Sequence, residues 1–390
     1  MAEVKKTPEL RFPEFDGEWI EKRTKNIAPL QRGFDLPTKD VKDGPYPIVY
    51  SNGVLRHHNE FKAKAPGVIT GRSGTIGKVN YIEDDYWPHN TSLWVTDFKN
   101  NNPKFIYYFY SIFRLEGYNA GSTVPTLNRN DVHLVKKRIP NLPEQKKIAS
   151  FLTAVDERIQ LLQKKKAKLE EYKKGVMQKL FSQEIRFKDE NGNDFPDWEE
   201  KRLGEIGMTF NGLTGKTKVD FGEGIPYVQY MQIFSNSKIN VQEFGLVKIG
   251  ENENQSKVQY GDVFFTTSSE TPNEIGTASV MLEEVGDVYL NSFCFGFRPN
   301  SLTELVPKFS RYLFRSELFR REIIKLAQGS TRFNMSKVEL MKLRVLLPKE
   351  DEQVKIADFL TSLDDSIESI GVEIDGSIEY KKGLLQKMFV

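Results

Sequence analysis

Two stretches of the chain carry the same long pattern of apolar positions. In the first, Ile148, Leu152, Val155, Ile159, Leu162, Lys166, Leu169, Lys173, Val176 and Leu180 are spaced alternately four and three residues apart. In the second, Ile356, Leu360, Leu363, Ile367, Ile370, Ile374, Ser377, Lys381, Leu384 and Met388 fall in the same register. That alternation puts one stripe along one face of a helix, a heptad seam. Pro143 and Pro348 stand where a first helical turn tolerates proline, and Glu144, Glu350, Asp351 and Glu352 suit the positive end of the helix dipole. Each helix is expected to run about 39 residues, roughly 58 Å.

Between the helices the pattern shortens. Tyr46–Tyr50 and Gly67–Thr70 are strand-type runs among Gly, Asn and Pro turns, with a helix expected from Pro103 to Leu115. The order recurs later, with strands at Asp262–Thr266 and Asp287–Leu290 and one helix from Pro307 to Ala327. The expected fold class is α+β: two mixed α/β domains, 1–142 and 183–350, separated by helical segments 143–182 and 351–390 that pair as an antiparallel coiled coil.

The recurrence is a true internal repeat. From Gly121-Ser122-Thr123 to Phe181, and from Gly329-Ser330-Thr331 to Phe389, the chain aligns without a gap at an offset of 208 residues. Residues 143–181 and 351–389 share 18 of 39 positions, among them Asp156 with Asp364 and the run Glu171–Gly175 with Glu379–Gly383. Trp19-Ile20-Glu21-Lys22-Arg23 is echoed by Trp198-Glu199-Glu200-Lys201-Arg202 at an offset of 179, so the second copy is 29 residues longer between these landmarks.

Composition narrows the function classes. The 390 residues are 38% hydrophobic and 28% charged, with no window near the roughly 20 apolar residues of a membrane span. Met1–Glu9 lacks the apolar run of a secretory signal, and Cys294 is the only cysteine, so no disulfide can form within the chain. His57, His58, His89 and His133 show no metal-ligand spacing, and a cytoplasmic protein without structural metal is expected.

A net charge of +2 hides strong local blocks. Residues 143–182 carry +5 and residues 351–390 carry −5, which favours pairing of the two helices over self-pairing. The alternative is that each helix packs on its own domain. Gly371, Gly376 and Gly383 weaken the second helix, which therefore needs a partner. Residues 308–344 hold ten Lys/Arg against three Glu, either a phosphate-binding face or a helix surface with locally paired arginines. The aromatic stripe Phe105, Tyr107, Tyr108, Phe109, Tyr110 and Phe113 reads as core.

Catalytic motifs fail on inspection. Thr70–Lys78 resembles a phosphate loop, but Arg72 and Val79 stand where a Walker A pattern needs Gly and Ser or Thr. Asp197-Trp198-Glu199-Glu200-Lys201 leaves no room for a nuclease Asp…Glu-x-Lys site, and no dinucleotide loop or nucleophile elbow is present. The balance favours a binding and organising role.

The repeated segments Leu142–Leu152 and Glu352–Leu360, with their Glu-Gln-x-x-Ile-Ala-x-Phe-Leu cores, resemble the conserved helical regions of the specificity subunit of type I restriction–modification enzymes. Asp351 stands where the first copy has Pro143. The resemblance covers essentially the whole chain and implies a non-catalytic reader of double-stranded DNA. Each variable domain would bind half of a bipartite site, and the helices would hold the halves apart. Two modification (methyltransferase) subunits would dock on the helices, and restriction subunits, carrying the motor and nuclease, would join through them. S-adenosylmethionine, ATP and Mg would then belong to those partners, with no cofactor in this chain. The helix interface would be Ile148, Leu152, Val155, Ile159 and Leu162 with Ile356, Leu360, Leu363, Ile367 and Ile370.

Arg72, Lys78, Arg129, Lys216, Lys218 and Arg332 are the candidate DNA-binding residues, each a basic side chain in a Gly/Ser/Thr/Asn-rich loop; surface ion pairing is the alternative for each. Two other readings stand beside this one: a coiled-coil scaffold whose end domains bind protein or glycan, and an enzyme with an unrecognised site. The unequal domains, +5 over 1–142 and −3 over 183–350, suggest an asymmetric site.

Overall fold

The computed structural model describes residues 7–119 and 123–390. Gly121 and Ser122, which open the first copy of the repeat, and Met1 to Lys6 lie outside the described residues. The chain divides into two compact units: unit 1 is 1–164 with 371–390, and unit 2 is 165–370. These differ from the sequence boundaries because each unit takes one half of each long helix.

In unit 1, strands β1 (Ile20–Arg23), β2 (Leu30–Arg32), β3 (Tyr46–Tyr50), β4 (Gly53–His58), β5 (Gly67–Gly71), β6 (Val79–Ile82), β7 (Trp87–Pro88), β8 (Ser92–Val95) and β9 (Lys136–Ile139) are joined by α1 (Thr24–Ile27), α2 (Pro103–Ser111) and α3 (Arg129–Leu134). An antiparallel sheet runs β2-β8-β5-β6, a second sheet runs β4-β3-β7 with its last pair parallel, and β1 pairs with β9. Helix α4 (Leu142–Phe181) follows, 40 residues without a break.

Unit 2 repeats the plan. Its elements are β10 (Glu199–Arg202), α5 (Leu203–Ile206), β11 (Gly207–Asn211), β12 (Phe221–Val228), α6 (Tyr230–Ser235), β13 (Gly245–Val247), β14 (Val263–Thr266), β15 (Ser268–Ser269), β16 (Ala278–Val280), β17 (Tyr289–Leu290), β18 (Cys294–Pro299), α7 (Pro307–Leu313), α8 (Glu317–Ile324), β19 (Phe333–Asn334), α9 (Lys337–Lys342) and β20 (Arg344–Leu347). The sheets β11-β18-β14-β16 and β13-β12-β17 match those of unit 1, β10 pairs with β20, and β15 with β19 adds a short ribbon. Helix α10 (Glu350–Met388) closes the sequence of elements with 39 residues. The single helix expected over Pro307–Ala327 is two helices, because Ser316 leaves helical geometry and its hydroxyl accepts the Phe319 N–H as the cap of α8.

The cores explain the apolar stripes. In unit 1, Ile148 and Leu152 of α4 and Leu384, Met388 and Phe389 at the end of α10 pack with Trp19, Phe105, Tyr108 and Phe109. In unit 2, Leu180 and Phe181 at the end of α4 and Ile356, Ala357 and Leu360 of α10 pack with Trp198, Phe309 and Phe314. The aromatic stripe of α2 is core, with Phe105, Tyr108, Phe109 and Tyr110 buried.

Polar residues fix helix direction. In unit 1, Lys381 of α10 lies 2.5 Å from Asp156 of α4, and Asp156 also accepts the Tyr108 hydroxyl at 2.7 Å. In unit 2, Lys173 of α4 bonds Asp364 of α10, which accepts the Tyr312 hydroxyl at 2.8 Å. Asp156 and Asp364, like Lys173 and Lys381, are repeat equivalents 208 apart. Each pair therefore joins opposite copies, as antiparallel helices require. The reading in which each helix packs only on its own domain fails, since each unit contains both.

A candidate nucleic-acid interface

The start of each long helix is bolted to the domain beside it. Arg11 donates to both carboxylate oxygens of Glu144 at 2.8 Å, and Trp19 Nε1 donates to Glu144 Oε1 at 3.1 Å. In unit 2, Arg186 and Trp198 hold Glu352 at 2.7 to 3.1 Å. Glu144 is 1% and Glu352 0% exposed, and these bonds hold both guanidinium pKa values above the usual arginine range. Gln145 accepts the Asn102 N–H at the start of α2, and Gln353 accepts the Val306 N–H at the start of α7, both at 2.9 Å. The Glu-Gln pair thus does more than face a helix dipole: it sets the angle at which α4 and α10 leave their domains.

In unit 1, the free ends of β2 and β5 and the turn into α3 enclose a cleft of about 620 Å³, lined by Gln31, Arg32, Asp35, Arg72, Thr126, Asn128, Arg129 and Asn130. The frame is backbone: Leu127 N–H donates to Arg72 O at 2.8 Å and Gly74 N–H to Pro125 O at 2.9 Å. Gly74 has φ +83°, which suits glycine, and Asn128 caps α3 through the Asn130 N–H. His133 Nε2 accepts the Leu30 N–H at 2.9 Å, tying α3 to β2; burial, then the Arg129 and Lys25 charges, lower its pKa. Arg72 donates to Asn90 O at 3.3 Å, and Arg129 has no carboxylate partner among the described residues. Three arginines against one carboxylate leave the cleft with net positive charge, set among amides that both donate and accept. Such a surface can grip phosphate and read base edges.

The sequence candidates divide. Arg72 and Arg129 meet in this cleft, whereas Lys78 donates to Asn52 O at 3.0 Å beside a different hollow that also holds Asp156 and Glu157. In unit 2, Arg332 is exposed and donates to Ser268 Oγ at 3.1 Å. Lys218 is exposed. Lys216 is spent on Glu253 at 2.5 Å, its side chain only 5% exposed, and this bond first of all brings the Glu253 pKa to about 2. Sequence reading missed Gln31, Arg32, Asn128 and Asn130. It also missed Lys337, which opens α9 as Arg129 opens α3 and stands 208 residues from it, so the repeat alignment held the signal.

The basic stretch 308–344 is not a phosphate-binding face as a whole. Arg315 donates to the carbonyls of Ala278, Ile233 and Asn236, and burial lowers its pKa to about 10. Arg320 donates to Gly276 and Asn273 carbonyls, and Arg311 pairs with Asp364. Lys308, Arg321, Lys325, Lys342 and Arg344 pair with Asp358, Glu317, Glu322, Glu339 and Glu200. Arg315, Arg320, Arg332 and Lys337 of this stretch have no carboxylate partner among the described residues; the first two are taken up by carbonyls, Arg332 bonds the Ser268 hydroxyl and Lys337 the Asn211 side chain.

Known proteins share this plan. The S subunit of a type I restriction–modification system from M. genitalium superposes with TM-score 0.61 at 16% identity, over 98% of this chain and 99% of that one. A chain from a study of complex assembly and conformational transition of the type I R-M system matches with TM-score 0.58 at 16% identity, over 95% and 96%. These likenesses establish the fold. The MjaVIII specificity subunit of a type I restriction enzyme from Methanocaldococcus jannaschii is 27% identical over 304 residues, 69% of this chain and 66% of that relative. The MjaIX specificity subunit from the same organism is 24% identical over 281 residues, 62% and 64%. The matched stretches therefore span a little under two thirds of these relatives. The type I restriction modification DNA specificity domain matches twice, at 16–171 and 196–380, each match taking in one globular domain and most of the helix after it, and the chain belongs to that family.

Proposed function

We propose that this chain is the DNA-reading subunit of a type I restriction–modification complex. Unit 1 reads one half of a bipartite site through the Arg72–Arg129 cleft, and unit 2 reads the other through the corresponding turn that carries Arg332 and Lys337. The helices set the separation of the halves and dock two modification subunits, with restriction subunits joining through them. Catalysis, S-adenosylmethionine, ATP and Mg belong to those partners, and the complex works on cytoplasmic DNA.

The observation that carries this reading is the doubled plan: two heads of one topology, each clamped by halves of both long helices, each with cations at the same turn that have no carboxylate partner among the described residues. The residues at that turn differ between the heads, so the halves are expected to differ. Genome-wide methylation mapping with the gene present and deleted tests this. An asymmetric bipartite motif that vanishes on deletion is expected; a palindrome, or an unchanged methylome, overturns it.

A further inference from the structure

The loop into β18 of unit 2 carries an exposed aromatic ring at a position the backbone holds still. Phe293 is 56% exposed. Its N–H donates to Asn291 Oδ1 at 2.8 Å, and its carbonyl accepts from Thr267 N at 3.0 Å. Thr267 leads directly into Ser268, the partner of Arg332, and its own carbonyl accepts from Met335 N at 3.0 Å, two residues before Lys337. Phe293 is thus tied through one residue to both segments that bear Arg332 and Lys337.

Unit 1 has the same framework. Thr91 O accepts from Arg72 N at 2.8 Å, and Arg72 O accepts from Leu127 N at 2.8 Å, just ahead of Arg129. The neighbouring bonds match too: Ser92 N to His89 O at 2.9 Å against Cys294 N to Asn291 O at 3.1 Å, and Phe34 N to Pro88 O at 2.8 Å against Leu213 N to Leu290 O at 2.7 Å. Thr91 and Phe293 are structural equivalents. A lone exposed apolar residue is ordinary. A phenyl ring on a backbone fixed at both its N–H and its carbonyl, one bonded residue away from the segments that bear Arg332 and Lys337, at a site where the other head has a small hydroxyl, is a feature of recognition.

We propose that Phe293 makes an apolar contact with a base in the half-site read by unit 2, and is a specificity-determining residue whose equivalent in unit 1, Thr91, has no aromatic ring. Apolar side chains discriminate bases through the thymine methyl or by packing against an opened step. The inference rests on the DNA-reading proposal.

The test uses the full chain assembled with the modification subunits of its own system, carrying Phe293→Ala or Phe293→Thr, the second taking the residue found in unit 1. Binding is measured on the mapped site, on duplexes altered one base pair at a time, and on random duplex. Expected is a loss of about tenfold or more on the mapped site, relaxed discrimination at one or two adjacent positions of one half-site, and unchanged affinity for random duplex. Both variants matching the parent overturns the inference, as does an equal loss on mapped and random DNA. A parent complex that does not distinguish the two DNAs defeats the DNA-reading proposal itself.

Discussion

The buried Glu144 carboxylate makes a sharp prediction about stability. It lies in the first turn of α4, 1% exposed, with Arg11 on both oxygens and Trp19 Nε1 on one. Arg11→Leu leaves that charge without its cation. Removing one partner of a buried pair costs about 3–5 kcal/mol. The lower end applies, because the Trp19 N–H and the positive end of the helix still face the carboxylate. For a unit of this size each kcal/mol moves the midpoint by about 2–4 °C, so about 3 kcal/mol lowers the unit 1 transition by roughly 6–12 °C. Scanning calorimetry of the full chain should show that shift with the unit 2 transition unmoved. Adding Glu144→Gln removes the charge and keeps an oxygen for Trp19, and should recover most of the loss. A shift below about 2 °C, or an equal shift of both transitions, would refute the reasoning.

Two further predictions concern charge. Arg72→Ala is expected to weaken binding to the mapped site by about 1–3 kcal/mol, whereas Lys216→Ala, its partner being Glu253, should leave the salt dependence of DNA binding unchanged; filter binding across a salt series checks both. Burial, then the Arg129 and Lys25 charges, disfavour the protonated His133 ring, so its folded pKa lies below its unfolded value near 6.5. Its stabilisation is complete above about pH 6.5 and is lost as pH falls through the folded pKa. Denaturant midpoints of unit 1 should drop over that acid window, and His133→Gln should flatten the drop.

What the sequence revealed was what is periodic. The seam Ile148–Leu180 and its copy 208 residues on are local arithmetic, and opposite net charges were enough to pair the helices. The rest depended on partners far away in the chain. Arg11 meets Glu144 across 133 positions, and Asp156 meets Lys381 across a longer interval, so neither node has a local signature. The charge count left 308–344 as either a phosphate-binding face or paired arginines, and could not choose for a related reason: backbone carbonyls, such as those that absorb Arg315, are invisible in it. For Lys216 the ion-pair alternative holds, with a partner that no local pattern names because Glu253 lies 37 residues away. The cleft residues Gln31 and Asn128 come from distant segments and carry no motif.

Phe389, just past the end of α10, packs against Trp19 and Phe105, so unit 1 is assembled from two segments of chain separated by all of unit 2. On the ribosome this inverts the usual order. Unit 2, continuous in sequence, can finish folding while the head translated before it still waits for Leu384, Met388 and Phe389 to emerge. Until then the nascent protein exposes an apolar notch beside Trp19, and a translation fault near residue 384 would disable the half made first.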